Sequence, residues 1–304
     1  MLQQRRSLVL AELGVVCVRG PDAVSFLQGQ LSNDVTRLAQ GTALLAGYHN
    51  PQGRVIALVR LCHTAADEIL LVLPRELAGT VLERLRRFVL RAKVSLADDS
   101  QRWQVQGLVT PADTDTRARA SAAAGIAIPI ASDPARSLVL VPREAAVAAS
   151  ATATDEERIT WKLLDIAAGL PQVYARTSEA FVAQMLNLDA LGGIDFAKGC
   201  YTGQEVIARA HYRGRVKRRM QRWRTLQPAA LAPGDSGELT DGRSFKVVEA
   251  AQLADGCCEF LAVASLAHGD EPASLEGAPA ESDSGGATLR LSAQPLPLPY
   301  ALPT

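Results

Sequence analysis

The sequence predicts an α+β fold: an α/β body with mixed or antiparallel sheets, then a small C-terminal antiparallel β-barrel. Three observations predict it. Strand-like runs alternate with helical patterns over the first two thirds of the chain. Two Thr-x-x-Glu boxes, Thr154 with Glu157 and Thr202 with Glu205, mark helix starts. From Met220 the pattern changes to short β runs between turns rich in Gly, Pro, Asp and Ser.

Taken in order, Leu8 to Val18 reads as one or two short strands broken at Gly14. Pro21 suits the first position of a helix whose apolar face is Val24, Phe26, Leu27 and Leu31. Gln28, Gln30, Asn33 and Asp34 sit at or near its end; they either hydrogen-bond a heteroaromatic ring or simply face solvent. Tyr48 to Arg54 is a turn rich in Asn, Pro and Gly, followed by a hairpin of Val55–Cys62 and Ile69–Leu73. His49 beside that turn is a weak site candidate, since a lone His is more often structural. Pro74 to about Ala92 reads as an amphipathic helix with Leu77, Val81, Leu85, Phe88 and Val89 buried and Arg84, Arg86 and Arg87 solvated. Strands are expected at Lys93–Leu96, Trp103–Val109 and Ser137–Val141, with a polar loop at Pro111–Arg119 and a helical fragment at Ala120–Ala124.

Thr154 opens a helix through about Ala168, with Ile159, Leu163, Ile166 and Leu170 on its core side; Gly169 and Pro171 end it. The barrel strands are Trp223–Leu226, Phe245–Ala251, Cys258–Val263 and Ala287–Leu291. Gly277–Gly286 reads as a mobile loop and Gln294–Thr304 as an extended, Pro-rich tail.

The 304 residues carry a formal net charge of zero, so no global field draws the molecule to nucleic acid or membrane. One stretch departs from that balance. Between Val206 and Gly234 there is no acid, and Arg209, Arg213, Arg215, Lys217, Arg218, Arg219, Arg222 and Arg224 are basic. Such a run suits a polyglutamate tail, a phosphate backbone or an acidic partner, or it is a set of solvated strand side chains. Five irregularly spaced Cys and no CxxC pair suggest reduced thiols in a cytosolic compartment. Four His in no metal-spaced cluster give no reason to expect a tightly held metal. No secretory pattern opens the chain and no run of eighteen apolar residues is present, so a cytoplasmic monomer without a membrane span is expected.

The chemistry concentrates in Asp195 to Gly214. Thr202 and Glu205 form the second capping box, and the helix is expected from Gly203 to about Arg213, stopped by a left-handed Gly214. Arg209 and Arg213, four apart, share a face. Cys200 precedes the expected cap by two residues, near the positive end of the helix dipole, with Lys198 close in sequence. The dipole contributes about 0.3–1 kcal/mol, less than one pKa unit, so activation needs Lys198 and the arginines as well. Otherwise Cys200 is a small packed thiol.

Lys198-Gly-Cys-Tyr-Thr-Gly-Gln-Glu205 resembles the signature octapeptide of the YgfZ family, folate-binding relatives of the glycine cleavage T-protein (aminomethyltransferase). Asn187 to Ile194, Ala208 to Gly214 and Phe26 to Val35 fit as well. The resemblance implies two T-protein-like lobes and the barrel around a central channel. Residues 1–215 would be the folate-binding region, about 1–45 with 150–215 and about 46–149 as its lobes, and 216–304 the barrel. It implies tetrahydrofolate or a derivative as ligand, with Lys198, Arg209 and Arg213 on its carboxylates. Tyr201 and Gln204 would form the wall, Glu205, Asn33 and Asp34 would stand near it, and Cys200 would be the reactive group. Iron–sulfur client proteins are the implied partners, with an indirect link to tRNA modification. The chain departs from T-proteins at Asp165-Ile-Ala-Ala-Gly169, where Ala167 replaces the Glu that grips the pterin; Asp165 is expected on a different helix face. Two other readings stand beside this one: a folate-dependent aminomethyl transferase, and a tRNA-binding module working through the basic run. Whether the chain is an enzyme is left open.

Overall fold

The computed structural model describes residues 7–39, 42–109, 125–132, 135–146, 153–214, 216–266 and 289–303. β2 (Leu13–Arg19), β3 (Ala43–His49), β4 (Val55–Ala65), β5 (Glu68–Pro74) and β6 (Ser95–Asp98) form an antiparallel sheet in the order β3-β4-β5-β2-β6. Its strands are apolar on both faces, so both faces are buried. Val16, Val18, Leu71 and Leu73 pack beneath α1 (Ala23–Gln28) and α2 (Arg75–Arg86), in a core that also takes Phe181, Ala183, Leu186 and Leu188. Val15, Cys17, Leu70 and Val72 face the other way. They meet a second antiparallel sheet of β1 (Ser7–Val9), β7 (Trp103–Val109), β8 (Ile126–Ser132) and β9 (Ala135–Pro142), ordered β1-β7-β9-β8. β2 precedes residue 45 and pairs with strands beyond it, so one sheet crosses the expected lobe boundary.

α3 (Asp155–Ala167) starts at the expected capping box: Glu157 N–H donates to the Thr154 hydroxyl and the Glu157 carboxylate accepts from Thr154 N–H. Its buried residues are Trp161 and Ile166, while Ile159 is turned outward. The reason is local. Gly107 in β7 leaves room for the Trp161 ring, which a β-carbon there would meet at 2.7 Å.

The third sheet is β14 (Leu289–Leu291), β11 (Ser236–Leu239), β12 (Ser244–Gln252), β13 (Cys258–Ser265), β10 (Arg218–Thr225) and β15 (Ala293–Leu296), in that order. Among the described residues it is a curled, half-barrel sheet whose edge strands β14 and β15 do not pair with each other, which is as much of the expected barrel as is seen. β14 joins parallel to β11, and β15, with Pro295, suits the free edge it occupies. The C-terminal stretch is not a free tail: β15 pairs with β10, and the Tyr300 hydroxyl donates to the Gly169 carbonyl at 2.7 Å. α2 ends at Arg86, short of the expected Ala92, so Phe88 leaves the apolar stripe and is exposed. β3, β8 and β11 were not expected as strands. Pro111–Arg119, Ala120–Ala124 and Gly277–Gly286 lie outside the described residues.

One buried ion pair fastens this sheet to the body. Arg219 donates from both terminal nitrogens to Asp189, at 3.0 and 2.8 Å, and also to the Gln184 carbonyl at 3.1 Å. Two residues before Asp189, Asn187 adopts a left-handed φ of 57° and donates to the Met220 carbonyl at 2.9 Å. Asp189→Ala leaves a buried guanidinium without its carboxylate, and is expected to lower stability by about 3–5 kcal/mol in a urea titration; a loss under 1 kcal/mol would show that the pair fastens nothing.

Candidate functional site

The octapeptide loop is held from below by its own lysine. Lys198 is buried, and its Nζ donates to the carbonyls of Gln28 (2.7 Å), Leu31 (2.5 Å) and Asn33 (2.9 Å). An ammonium has three N–H bonds, and all three are used. This corrects the expectation that Lys198 meets a ligand carboxylate: none of its donors is left for one. Burial pushes its pKa down to about 8, against the pull of Asp34 and Asp195. The same loop between α1 and β3 is tied again nearby. The Ser32 hydroxyl donates to the Gly193 carbonyl at 2.6 Å, and Asn33 Nδ2 donates to the carbonyls of Leu45 (2.7 Å) and Gly192 (2.8 Å). Asp34 accepts from Gln28 Nε2 at 2.9 Å and from Thr36 N–H at 3.1 Å, which holds its carboxyl below the usual range, the Thr36 hydroxyl contributing most. Asn33 and Asp34 therefore serve the scaffold with the same atoms that were expected to read a ring.

Above Lys198 the chain turns sharply. The expected Thr202 cap is not made. The cap position is Gly203, at φ 82°, and α4 runs Gln204–Tyr212 with no side-chain cap. Gly203 lies so close to the turn after β3 that a β-carbon on it would stand 2.5 Å from the Asn50 carbonyl. The approach requires glycine and moves the cap by one residue. At the far end Gly214 is not left-handed. α4 is pinned by Ile207, by Gln184 Nε2 donating to the Ile207 carbonyl at 2.7 Å, and by His211 stacked on Phe196 at 3.7 Å. Glu205, Arg209 and Arg213 are exposed, and among the described residues no carboxylate pairs with either arginine.

Of five thiols only Cys200 is exposed. Cys17 and Cys62 are buried between the two body sheets, and burial pushes both up to about 12. Cys258 is buried in β13, as expected from its strand-like run. Burial thus sets Cys200 apart from the three sheet thiols.

Tyr201 turns inward, its ring 5.0 Å from Lys198 Nζ and 6.2 Å from the ring of His49. His49 is buried, and among the described residues neither ring nitrogen makes a hydrogen bond of ordinary geometry. Its ring fills the space over Gly47. Burial drives its pKa down to about 3, so it is neutral at pH 7. A cleft of about 480 Å³ opens beside it, lined by Tyr48, Arg84, Arg87, Phe88 and Thr202 among others. Thr202, freed from capping, faces this cleft.

The basic run is mostly accounted for. Arg219 pairs with Asp189, Arg222 with Glu259 and Arg224 with Asp255. On β10 Arg219 and Arg222 are thereby neutralised within the fold, which reduces the charge that the strand offers to RNA. A second polar cluster went unread in the sequence because its members are spread from residue 136 to 249. Buried Glu249 accepts from Lys162 Nζ at 3.2 Å and from the Tyr174 hydroxyl. Arg136, fully buried over the Trp161 ring, donates to Asp165 at 2.7 Å. Asp165 is therefore engaged by Arg136.

No family model matches the sequence. Two proteins named tRNA-modifying protein YgfZ match nearly end to end. One, from Cronobacter sakazakii, is 30% identical over 96% of this chain and 92% of its own length. The other, from Edwardsiella ictaluri, is 32% identical over 93% and 89%. An uncharacterized protein of Haemophilus influenzae is 35% identical over 69% of this chain and 70% of its own. Among solved structures, the glycine cleavage system aminomethyltransferase T of Bartonella henselae superposes with a TM-score of 0.61, covering 85% of this chain and 78% of its own at 13% identity, a likeness of fold.

The orphan imidazole makes stability depend on pH. His49 binds its proton near pH 3 when folded and near 6.5 when unfolded, so the unfolded chain gains a proton first as pH falls. Between pH 6.5 and 5 the wild type is expected to lose about 2 kcal/mol more than His49→Leu, measured by urea unfolding. Parallel pH profiles would contradict the assignment.

Proposed function

Since the chain belongs to the YgfZ family, we propose that it is a folate-binding accessory protein for iron–sulfur cluster assembly or repair, including the iron–sulfur enzymes that modify tRNA. Its ligand is tetrahydrofolate or a derivative. The observation that carries this reading is Cys200: an exposed thiol on a loop that buried Lys198 fixes to the body.

The side chains fit one end of a folate better than the other. Arg209 and Arg213 are exposed, with no carboxylate partner among the described residues, and they suit its acidic tail through bidentate hydrogen bonds. Tyr201 and Gln204 stand at the start of the same helix and form the wall. At the position where the T-protein resemblance calls for a pterin-gripping Glu the chain has Ala167, and nearby Asp165 is bonded to Arg136. Aminomethyl transfer needs a group there to orient the ring and manage protons. That favours holding a folate over transferring a one-carbon unit from an amine. Bound tetrahydrofolate would supply the one-carbon chemistry; the protein's own contribution is to bind it and to present the Cys200 thiol.

Two measurements test the two halves of this reading. Calorimetric titration with tetrahydrofolate is expected to show binding that Cys200→Ser leaves unchanged and that Arg209→Ala with Arg213→Ala weakens about tenfold or more. In cells lacking the native gene, Cys200→Ser is expected to fail to restore iron–sulfur enzyme activity. No binding by the wild type would end the folate assignment, and full restoration by the Ser variant would end the thiol role.

A further inference from the structure

The end of α2 carries a surface that the folate reading does not use. After Arg86 the helix stops, and the chain from 86 to 93 is exposed at Arg86, Arg87, Phe88, Leu90, Arg91 and Lys93. Phe88 is 47% exposed. Among the described residues no carboxylate pairs with Arg86, Arg91 or Lys93, and Arg87 has only Glu83, in a pair open to solvent. Exposed pairs of this kind are worth less than about 1 kcal/mol and exchange readily for another anion. This strip differs from Arg219 and Arg222 of β10, whose pairs with Asp189 and Glu259 are largely shielded from solvent.

The strip borders the 480 Å³ cleft, which Phe88, Pro51 and Ile56 line with apolar surface. Polar residues line it as well, among them Tyr48, Asn50, Thr80, Glu83, Arg84 and Thr202. A flat heterocycle with both donors and acceptors matches this mixture. Any polyanion meets the same cations and the same Glu83, so it is the cleft with Phe88 that favours a partner carrying flat rings over an acidic peptide.

We propose that the end of α2 and this cleft bind single-stranded RNA, with one unstacked base in the cleft against Phe88 and the flanking phosphates on Arg86, Arg87, Arg91 and Lys93. The charge supplies affinity without sequence preference, and the ring supplies the choice of a base over a bare polyanion.

The test uses the full chain and a fluorescently labelled twelve-nucleotide single-stranded RNA, followed by anisotropy from 50 to 200 mM KCl. Replacing Arg86, Arg91 and Lys93 together by Gln is expected to flatten the log–log salt slope by about 2, at about 0.7 per cation lost. Phe88→Ala is expected to weaken binding about fivefold or more with the slope unchanged. All four residues are exposed, so melting temperatures close to that of the wild type will confirm folding. Polyglutamate is the competitor. No binding at 50 mM KCl, or a slope the triple variant does not change, overturns the proposal. So does polyglutamate binding that equals RNA binding together with an inert Phe88→Ala, which would assign the strip to an acidic partner instead.

Discussion

One buried ammonium organises the site. Lys198 Nζ reaches three carbonyls of the loop between α1 and β3, and the rest of the signature follows from where that places the chain. A point charge with three rotatable donors suits three converging acceptors, whereas a planar guanidinium does not. With the ammonium fixed, Tyr201 lies over it, Gly203 is brought against the Asn50 carbonyl, and α4 starts one residue late. Cys200 is left at the surface between two anchored neighbours. The signature is thus largely a way of building a rigid loop, and its reactive part is a single side chain.

The second anchor faces the opposite way. Asn187 and Asp189 bind β10, while Gly192 and Gly193 receive hydrogen bonds from Asn33 and Ser32. The segment from 187 to 198 therefore connects the C-terminal sheet to the α1–β3 loop. Charge is spent on this assembly, which is why a basic run in a neutral chain leaves so little free charge on β10. Among the described residues, exposed cations with no carboxylate partner include Arg209 and Arg213 at α4 and Arg86, Arg91 and Lys93 at the end of α2.

Most strands and the Thr154 helix were legible in the sequence, because their signals are local: apolar runs, a capping box, Gly and Pro at the ends. The position of the motif was legible too. The use of its residues was not. Lys198, Asn33 and Asp34 carry groups that suit a ligand equally well; for Lys198 the choice is decided by carbonyls more than 160 residues away, for Asn33 by those of Leu45 and Gly192, and for Asp34 by Gln28 and Thr36. The Thr202 box failed because close packing on Asn50 outweighed a local capping preference. Phe88 read as core because helical periodicity was extended past the point where the helix ends. The Arg136–Asp165 and Glu249 clusters had no signal at all, since no local pattern announces a long-range polar contact.

Amide hydrogen exchange on Lys198→Met tests the central claim most directly. If the ammonium is the common anchor, residues 28–34 and 192–204 lose protection together, while β12 and β13 exchange as in the wild type. Loss of protection confined to the immediate neighbours of residue 198, with the α1–β3 loop unchanged, would contradict it.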